Sequence, residues 1–220
     1  MKVAVVGAGH IGGNIARQLA GAGHRVSVCF TRDEEALRQF ASEIGASAAA
    51  PGEAVSDADV VVLSVPWDAI PAAIEQSGSL KGKVVIDTTN QFGGGDKPEP
   101  GQTAAAFNAA RMRGARYTKS FNTLTSRFQA EVAHRSPRVV QWLCGDDDEA
   151  KEIVAGLVRD AGYEPIDLGG TATCAIMEAP RRAGAVYGEE YRADAAQHVV
   201  EAVKAGRPIP ATPDYGRLPG

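Results

Sequence analysis

The chain has 220 residues, 44% hydrophobic and 23% charged, a balance that suits an ordinary soluble globular protein with one full core. A net charge of -4 gives no electrostatic reason to expect nucleic acid or an anionic membrane surface as a partner. Three cysteines with no C-x-x-C spacing argue against a structural disulfide or a zinc site, and for buried thiols in a reducing compartment.

The first strand is expected at Lys2–Val6. Its apolar run is broken by Gly7 and Gly9, too early for a signal peptide, and no stretch approaches bilayer-spanning length, so the cytoplasm is the expected location. The strand runs into GAGHIG, Gly7 to Gly12, and then into a helix whose apolar face carries Ile11, Ile15 and Leu19. A G-x-G-x-x-G between a strand and an amphipathic helix reads as a dinucleotide fingerprint. Gly7 permits the tight turn, Gly9 lets a pyrophosphate approach the backbone, and Gly12 lets helix and strand pack closely. The amides of Gly9, His10 and Ile11, with Ala8 beside them, would then face the phosphates at a helix N-terminus.

The second strand is expected at Arg25–Phe30. An NAD site places an acidic residue at this strand end to hold the ribose hydroxyls. Phe30 stands there instead, followed by Thr31 and Arg32. A guanidinium and a hydroxyl suit the extra 2'-phosphate of NADP, which a carboxylate would repel. Thr31-x-x-Glu34 reads as a capping box opening the next helix, whose first-turn acids Asp33, Glu34 and Glu35 offer Arg32 an alternative partner.

Further strands are expected at Ala46–Ala49, Val60–Val65 and Lys83–Asp87, then Ala115–Phe121, Arg138–Cys144 and Glu164–Leu168. LSVPWDAI, Leu63 to Ile70, would bring Val65 and Pro66 against a nicotinamide ring with Trp67 at the lip, unless Trp67 is only a packing aromatic. Gln91–Gly101, QFGGGDKPEPG, cannot be regular structure and is either a mobile cover or a plain surface loop. Asp146–Glu149 reads as acids at a helix start rather than a metal site. The four histidines lack ligand spacing, so no metal is expected. Arg181, Arg182, Glu189, Glu190 and Arg192 read as a solvated helix face, and Gly206–Gly220 as an extended tail.

Continuous apolar strands alternating with helices predict a doubly wound, mainly parallel α/β sheet. Residues 1–135 would form the NADP-binding core. Residues 136–220 would form a smaller part that completes the sheet and the substrate pocket.

The order of these motifs resembles the F420-dependent NADP reductases. GAGHIG, Thr31-Arg32, SVPW, KSFNTLTSRF (Lys119–Phe128) and CGDDDEAKEIV (Cys144–Val154) follow that family's landmarks across roughly Met1 to Leu168. The resemblance implies a Rossmann-type core with a small C-terminal helical extension, a homodimer, and hydride transfer between NADP(H) and the deazaflavin coenzyme F420. It places Ala8, Gly9, His10 and Ile11 on the pyrophosphate, Thr31 and Arg32 on the 2'-phosphate, and Val65, Pro66 and Trp67 on the nicotinamide. Asn122, Thr123, Leu124 and Thr125 fall on the loop between the two rings. No side-chain acid is required, because orientation of two stacked rings is the main demand.

Two departures stand out. Phe30 precedes the Thr-Arg pair, and GGTATCAIMEAPRRAGAVYGEEY after Leu168 is more polar than the apolar helix usual there. The altered C-terminal part leaves open an NADPH-dependent imine or ketone reductase, with Tyr187 or Tyr191 as proton donors that sequence cannot rank. A non-catalytic NADP-sensing module is a third reading.

Overall fold

The structure is a computed structural model and describes residues 1–215. Among the described residues eight strands form one sheet: β1 (Lys2–Val6), β2 (Arg25–Cys29), β3 (Ser47–Ala48), β4 (Val60–Leu63), β5 (Val84–Asp87), β6 (Arg116–Ser120), β7 (Val140–Gly145) and β8 (Glu164–Asp167). Their spatial order is β3-β2-β1-β4-β5-β6-β7-β8. Pairing is parallel from β3 through β6, β7 runs antiparallel to β6, and β8 runs parallel to β7. The Rossmann-type α/β fold is therefore present.

The continuous apolar strands are explained by burial on both faces. In β1, Val3 and Val5 enter one core cluster while Ala4 and Val6 enter the other, because successive strand side chains point to opposite sides. The first cluster is covered by α1 (His10–Gly21), α2 (Glu34–Ile44), α6 (Ser126–Val132) and α7 (Asp148–Asp160), through Ile15, Leu19, Leu37, Val132 and Leu157. The second is covered by α3 (Pro51–Asp57), α4 (Ile70–Ser77), α5 (Ala104–Arg111) and α8 (Ala193–Lys204), through Val55, Ile70, Ala105 and Val199. The chain moves outward from β1 to β3 and returns to β4 on the other side of β1. That reversal opens a crevice at the carboxyl ends of β1 and β4, where such sheets take ligands.

Three local expectations are corrected. The second helix starts at Glu34 with Asp33, not Thr31, as its cap, the Asp33 carboxylate accepting from the Ala36 amide at 3.0 Å. The Thr31 hydroxyl instead closes a short turn with the Asp33 backbone. The charged stretch from Arg181 to Arg192 is no helix face; it lies in an irregular strap that ends where α8 begins. Pro180, Gly184 and Gly188 interrupt it at intervals too short for a helix to persist. In that strap Arg181 pairs with Glu189, and Arg192 with Glu190. The tail after Gly206 carries no regular structure as far as Tyr215, and its last five residues lie outside the described part.

The third correction concerns the cysteines. Cys144, at the end of β7, and Cys174, in a 3-10 turn at Thr171–Met177, are joined by a disulfide with their Cα atoms 6.1 Å apart. Only Cys29 is a free thiol; burial pushes its pKa up to about 12.

Candidate functional site

At the exit of β1 the three glycines meet different surroundings. Gly7 has φ +93°, and a Cβ there would stand 2.4 Å from the Ser64 carbonyl oxygen. A Cβ at Gly12 would come within 2.0 Å of the Gly7 carbonyl oxygen. At Gly9 nothing lies within 4 Å, so the glycine faces open space. Gly9 is also the N-cap of α1 and offers no side-chain cap, so the first-turn amides keep their hydrogens for an outside acceptor. An anion fits there, drawn by those amides and by the positive end of the helix.

At the exit of β2, Phe30 adopts a left-handed backbone with φ +62°, rare for a bulky side chain. Such strain clusters at ligand sites, where surrounding packing holds it in place. The acids that follow are all occupied: Asp33 caps α2, and Glu34 and Glu35 pair with Arg38. Arg32 is exposed and has no ion pair or hydrogen bond among the described residues. Its guanidinium is thus available for a ligand.

These two strand ends share a cavity of about 890 Å³. Gly7, Ala8, Gly9, Thr31, Arg32, Val65 and Pro66 line it together with Phe30, Leu37, Phe40, Ser64, Asp68, Ala69 and Gln76. That volume lies within the range of cofactor pockets, about 300–1,000 Å³. Ser64, Asp68 and Gln76 were missed in the sequence. Ser64 falls inside the strand expected at Val60–Val65 and follows the strand only because β4 ends at Leu63; Gln76 depends on the direction in which α4 presents its side chains. His10, Ile11, Gly12 and Trp67 are not among the lining residues. Gly12 instead packs against Gly7 and Ser64.

Trp67 turns away from that cavity. It is buried, stacks on Phe107 with centroids 6.0 Å apart, and donates its indole N–H to the Asp96 carbonyl at 2.8 Å. Arg111 lies over the Phe107 ring at 4.1 Å and pairs with the Asp96 carboxylate at 3.2 Å. Asp96 belongs to the Gln91–Gly101 loop, so that loop is held at its middle by two side chains.

The ends of β5 and β6 hold a buried polar network. Asp87 and Lys119 are fully buried and 3.5 Å apart. Tyr117 and Asn108 donate to Asp87 at 2.6 and 2.9 Å, and the Thr89 amide donates at 2.8 Å. Burial is the largest influence on the Asp87 carboxyl and would raise its pKa. Lys119 and the three hydrogen bonds outweigh it and hold the group below its ordinary value. Burial, and then Asp87, push the Tyr117 phenol far up, so it stays a neutral donor. Lys119 also donates to the Thr89 carbonyl at 2.6 Å, which fixes the turn leaving β5.

That turn carries Asn90. Its side chain donates to the Asn122 backbone carbonyl at 2.8 Å and accepts from the Asn122 side-chain Nδ2 at 3.1 Å and the Ala179 backbone N–H at 3.3 Å. Asn122 donates a further bond to the Met177 carbonyl at 2.6 Å, and the Gly188 amide donates to the Thr123 carbonyl at 2.8 Å. The structure therefore ties the Asn122–Thr125 loop to the β5 exit and to the C-terminal strap. Leu124 packs in the core, Thr125 caps α6, and Phe121 just before the loop has φ +59°. Tyr191 is core, edge-on to Trp142 at 5.2 Å, whereas Tyr187 is half-buried.

Comparison with known proteins adds the following. Residues 2–91 match the family described as NADP oxidoreductase, coenzyme F420-dependent. F420-dependent NADP reductase of Methanothermobacter thermautotrophicus is 30% identical over 200 residues, covering 81% of this chain and 85% of its own. Metalloreductase STEAP3 of Rattus norvegicus is 26% identical over 178 residues; the match covers 81% of this chain but only 36% of that longer protein. Among solved structures, a candidate F420-dependent NADP reductase from Arthrobacter sp. FB24 superposes with TM-score 0.66 at 27% identity, over 79% of this chain and 87% of its own. An imine reductase from Aspergillus terreus, in complex with NADPH4 and dibenz[c,e]azepine, gives TM-score 0.59 at 26% identity, over 79% and 57%.

Proposed function

The chain belongs to the F420-dependent NADP reductase family, and from that premise we propose that it passes a hydride between NADP(H) and the deazaflavin coenzyme F420. The observation that carries the cofactor half is Arg32, an unpaired guanidinium on the wall of the cavity that begins at Gly9. A 2'-phosphate would meet Arg32 and the Thr31 hydroxyl, and a pyrophosphate would meet the first-turn amides of α1 above Gly9. The residues present thus fit NADP(H). Bound NADPH supplies a hydride at its nicotinamide C4.

The work left to the chain is positional. Val65 and Pro66 give the cavity lining an apolar patch. The Ser64 hydroxyl accepts from Thr88 at 3.0 Å, which holds the side chain of this lining residue in place. His10, Ile11 and Gly12 act through the backbone and packing of the fingerprint turn, and Trp67 through the loop it pins. The Asn122–Thr125 loop borders the second ring, kept in register by Asn90 and the strap. Two walls held this firmly supply orientation, which can remove much of a hydride-transfer barrier. The same family reading carries a homodimer; among the described residues, no helix is long and apolar enough to cross a membrane.

The test is transfer of label from C4-deuterated NADPH to oxidised F420. Deuterium should arrive from one face of the nicotinamide only, because a fixed pocket presents one face. A second reading, reduction of an imine or ketone, is supported by the likeness to the Aspergillus enzyme. It needs a proton donor, and Tyr187 is the better placed tyrosine, since Tyr191 packs into the core. NADPH oxidation by a cyclic imine, with F420 inert, would establish that reading. NADPH binding with no transfer to either acceptor would leave the sensor reading.

A further inference from the structure

An exposed phenylalanine marks the Gln91–Gly101 loop. Phe92 is 59% exposed, the most exposed large hydrophobic among the described residues. Exposed single apolar residues are common, but the span that carries this one is fixed at both ends. On one side, two residues back, Asn90 is clamped to Asn122 and to Ala179 of the strap. On the other, Gly95 packs against Trp67 and Asp68, where a Cβ would stand 3.4 Å from the Asp68 Cα. The next residue, Asp96, is held through its carbonyl by Trp67 and through its carboxylate by Arg111. Asp68 also lines the large cavity beside Val65 and Pro66.

The arch from Asn90 to Gly95 therefore runs from the turn clamped to Asn122 to Asp68, a residue that lines the cofactor cavity. It carries one aromatic ring, followed by three glycines, two of which have φ of +82° and +94°. Glycine there lets the ring be raised or lowered without disturbing either anchor. Leaving a phenyl ring in water forgoes the stabilisation of burial, and an incoming flat ring would recover it.

We infer that Phe92 is a substrate-contacting residue on which the flat aromatic ring of the second substrate stacks. The inference rests on the reading given above, and its test separates the two. The full chain, saturated with NADP+, is titrated with oxidised F420 and separately with FMN, following the fluorescence of the added ring. Phe92→Ala should weaken ring binding about tenfold, the size of one aromatic stacking contact, and leave NADP+ affinity unchanged. Phe92→Trp should keep the ring affinity, and its added indole emission should be quenched as the ring binds. The exposed position means that neither variant threatens the fold.

Equal ring affinity in wild type and Phe92→Ala overturns the inference alone, as does a parallel loss of NADP+ affinity. A wild-type protein that binds NADP+ but neither ring overturns both the inference and the F420 reading. Phe92-dependent binding of FMN without binding of F420 upholds the inference and removes F420 as the substrate.

Discussion

Lys119 Nζ stands 3.5 Å from the Asp87 carboxylate, and neither residue has any exposure to solvent. Parallel neighbours β5 and β6 put Asp87 and Lys119 directly opposite one another. A charge pair in this position is costly to desolvate, and it persists because Tyr117, Asn108 and the Thr89 amide complete its hydrogen bonds. Its consequence for the site is the Lys119 bond to the Thr89 carbonyl, one residue before Asn90.

Asp87→Asn leaves the Lys119 charge buried without a counter-charge and should cost about 3–5 kcal/mol of stability at neutral pH. The Asp87 pKa is depressed in the folded state, so its contribution is present above the unfolded value, about 4, and is lost as pH falls toward the lower folded value. The gap between wild type and variant should therefore narrow in acid. Urea midpoints at pH 7 and pH 3 check this; a constant gap would show that the loss is packing alone.

Arg32→Ala should weaken NADPH binding by about 1.5–3 kcal/mol, typical of hydrogen bonds to a charged group, and leave NADH nearly unchanged. The unpaired state of Arg32 sharpens the expectation, since its removal breaks no internal ion pair. Calorimetric titration with both cofactors decides it, and equal losses for the two would refute the 2'-phosphate assignment.

Gly9→Val and Gly12→Ala should fail in different ways. A Cβ at Gly9 meets nothing within 4 Å, so the protein should fold while its side chain fills the space a pyrophosphate needs. A Cβ at Gly12 would stand 2.0 Å from the Gly7 carbonyl oxygen, so even alanine should lower the melting temperature. Thermal melts with and without NADPH separate loss of binding from loss of fold.

The Cys144–Cys174 disulfide closes a loop of 30 residues, for which chain entropy implies about 3–4 kcal/mol of stabilisation. Reduction, or Cys174→Ala, should lower the melting temperature. It should also loosen the Met177–Asn122 contact, because Cys174 and Met177 share one 3-10 turn. Hydrogen exchange of the strap amides with and without reductant provides the check. Identical protection and melting would mean that the bridge contributes nothing.

Much of the fold was legible because its signals are local. VAVV and VVVL are apolar without alternation, as strands of a sheet covered on both faces are, and GAGHIG lies between a strand and an amphipathic helix. The missing acid at the β2 exit was equally readable, since that position follows from strand length alone. Where the local pattern pointed to a capping box at Thr31, the folded chain gives the cap to Asp33, because side-chain direction and not spacing decides which oxygen meets the Ala36 amide.

What only the tertiary structure decided are the contacts between residues far apart in the chain. Trp67 follows β4 in the chain by four residues, yet the direction of its ring depends on Phe107 and Asp96, 40 and 29 residues away. Asp87 and Lys119 acquire partners only when β5 and β6 pair, and Cys144 meets Cys174 only when the chain returns from β8. Periodicity and glycine spacing are properties of a few consecutive residues, and the sequence states them outright. Side-chain direction and long-range pairing depend on how the sheet is ordered, and they emerge only once eight strands have been laid side by side.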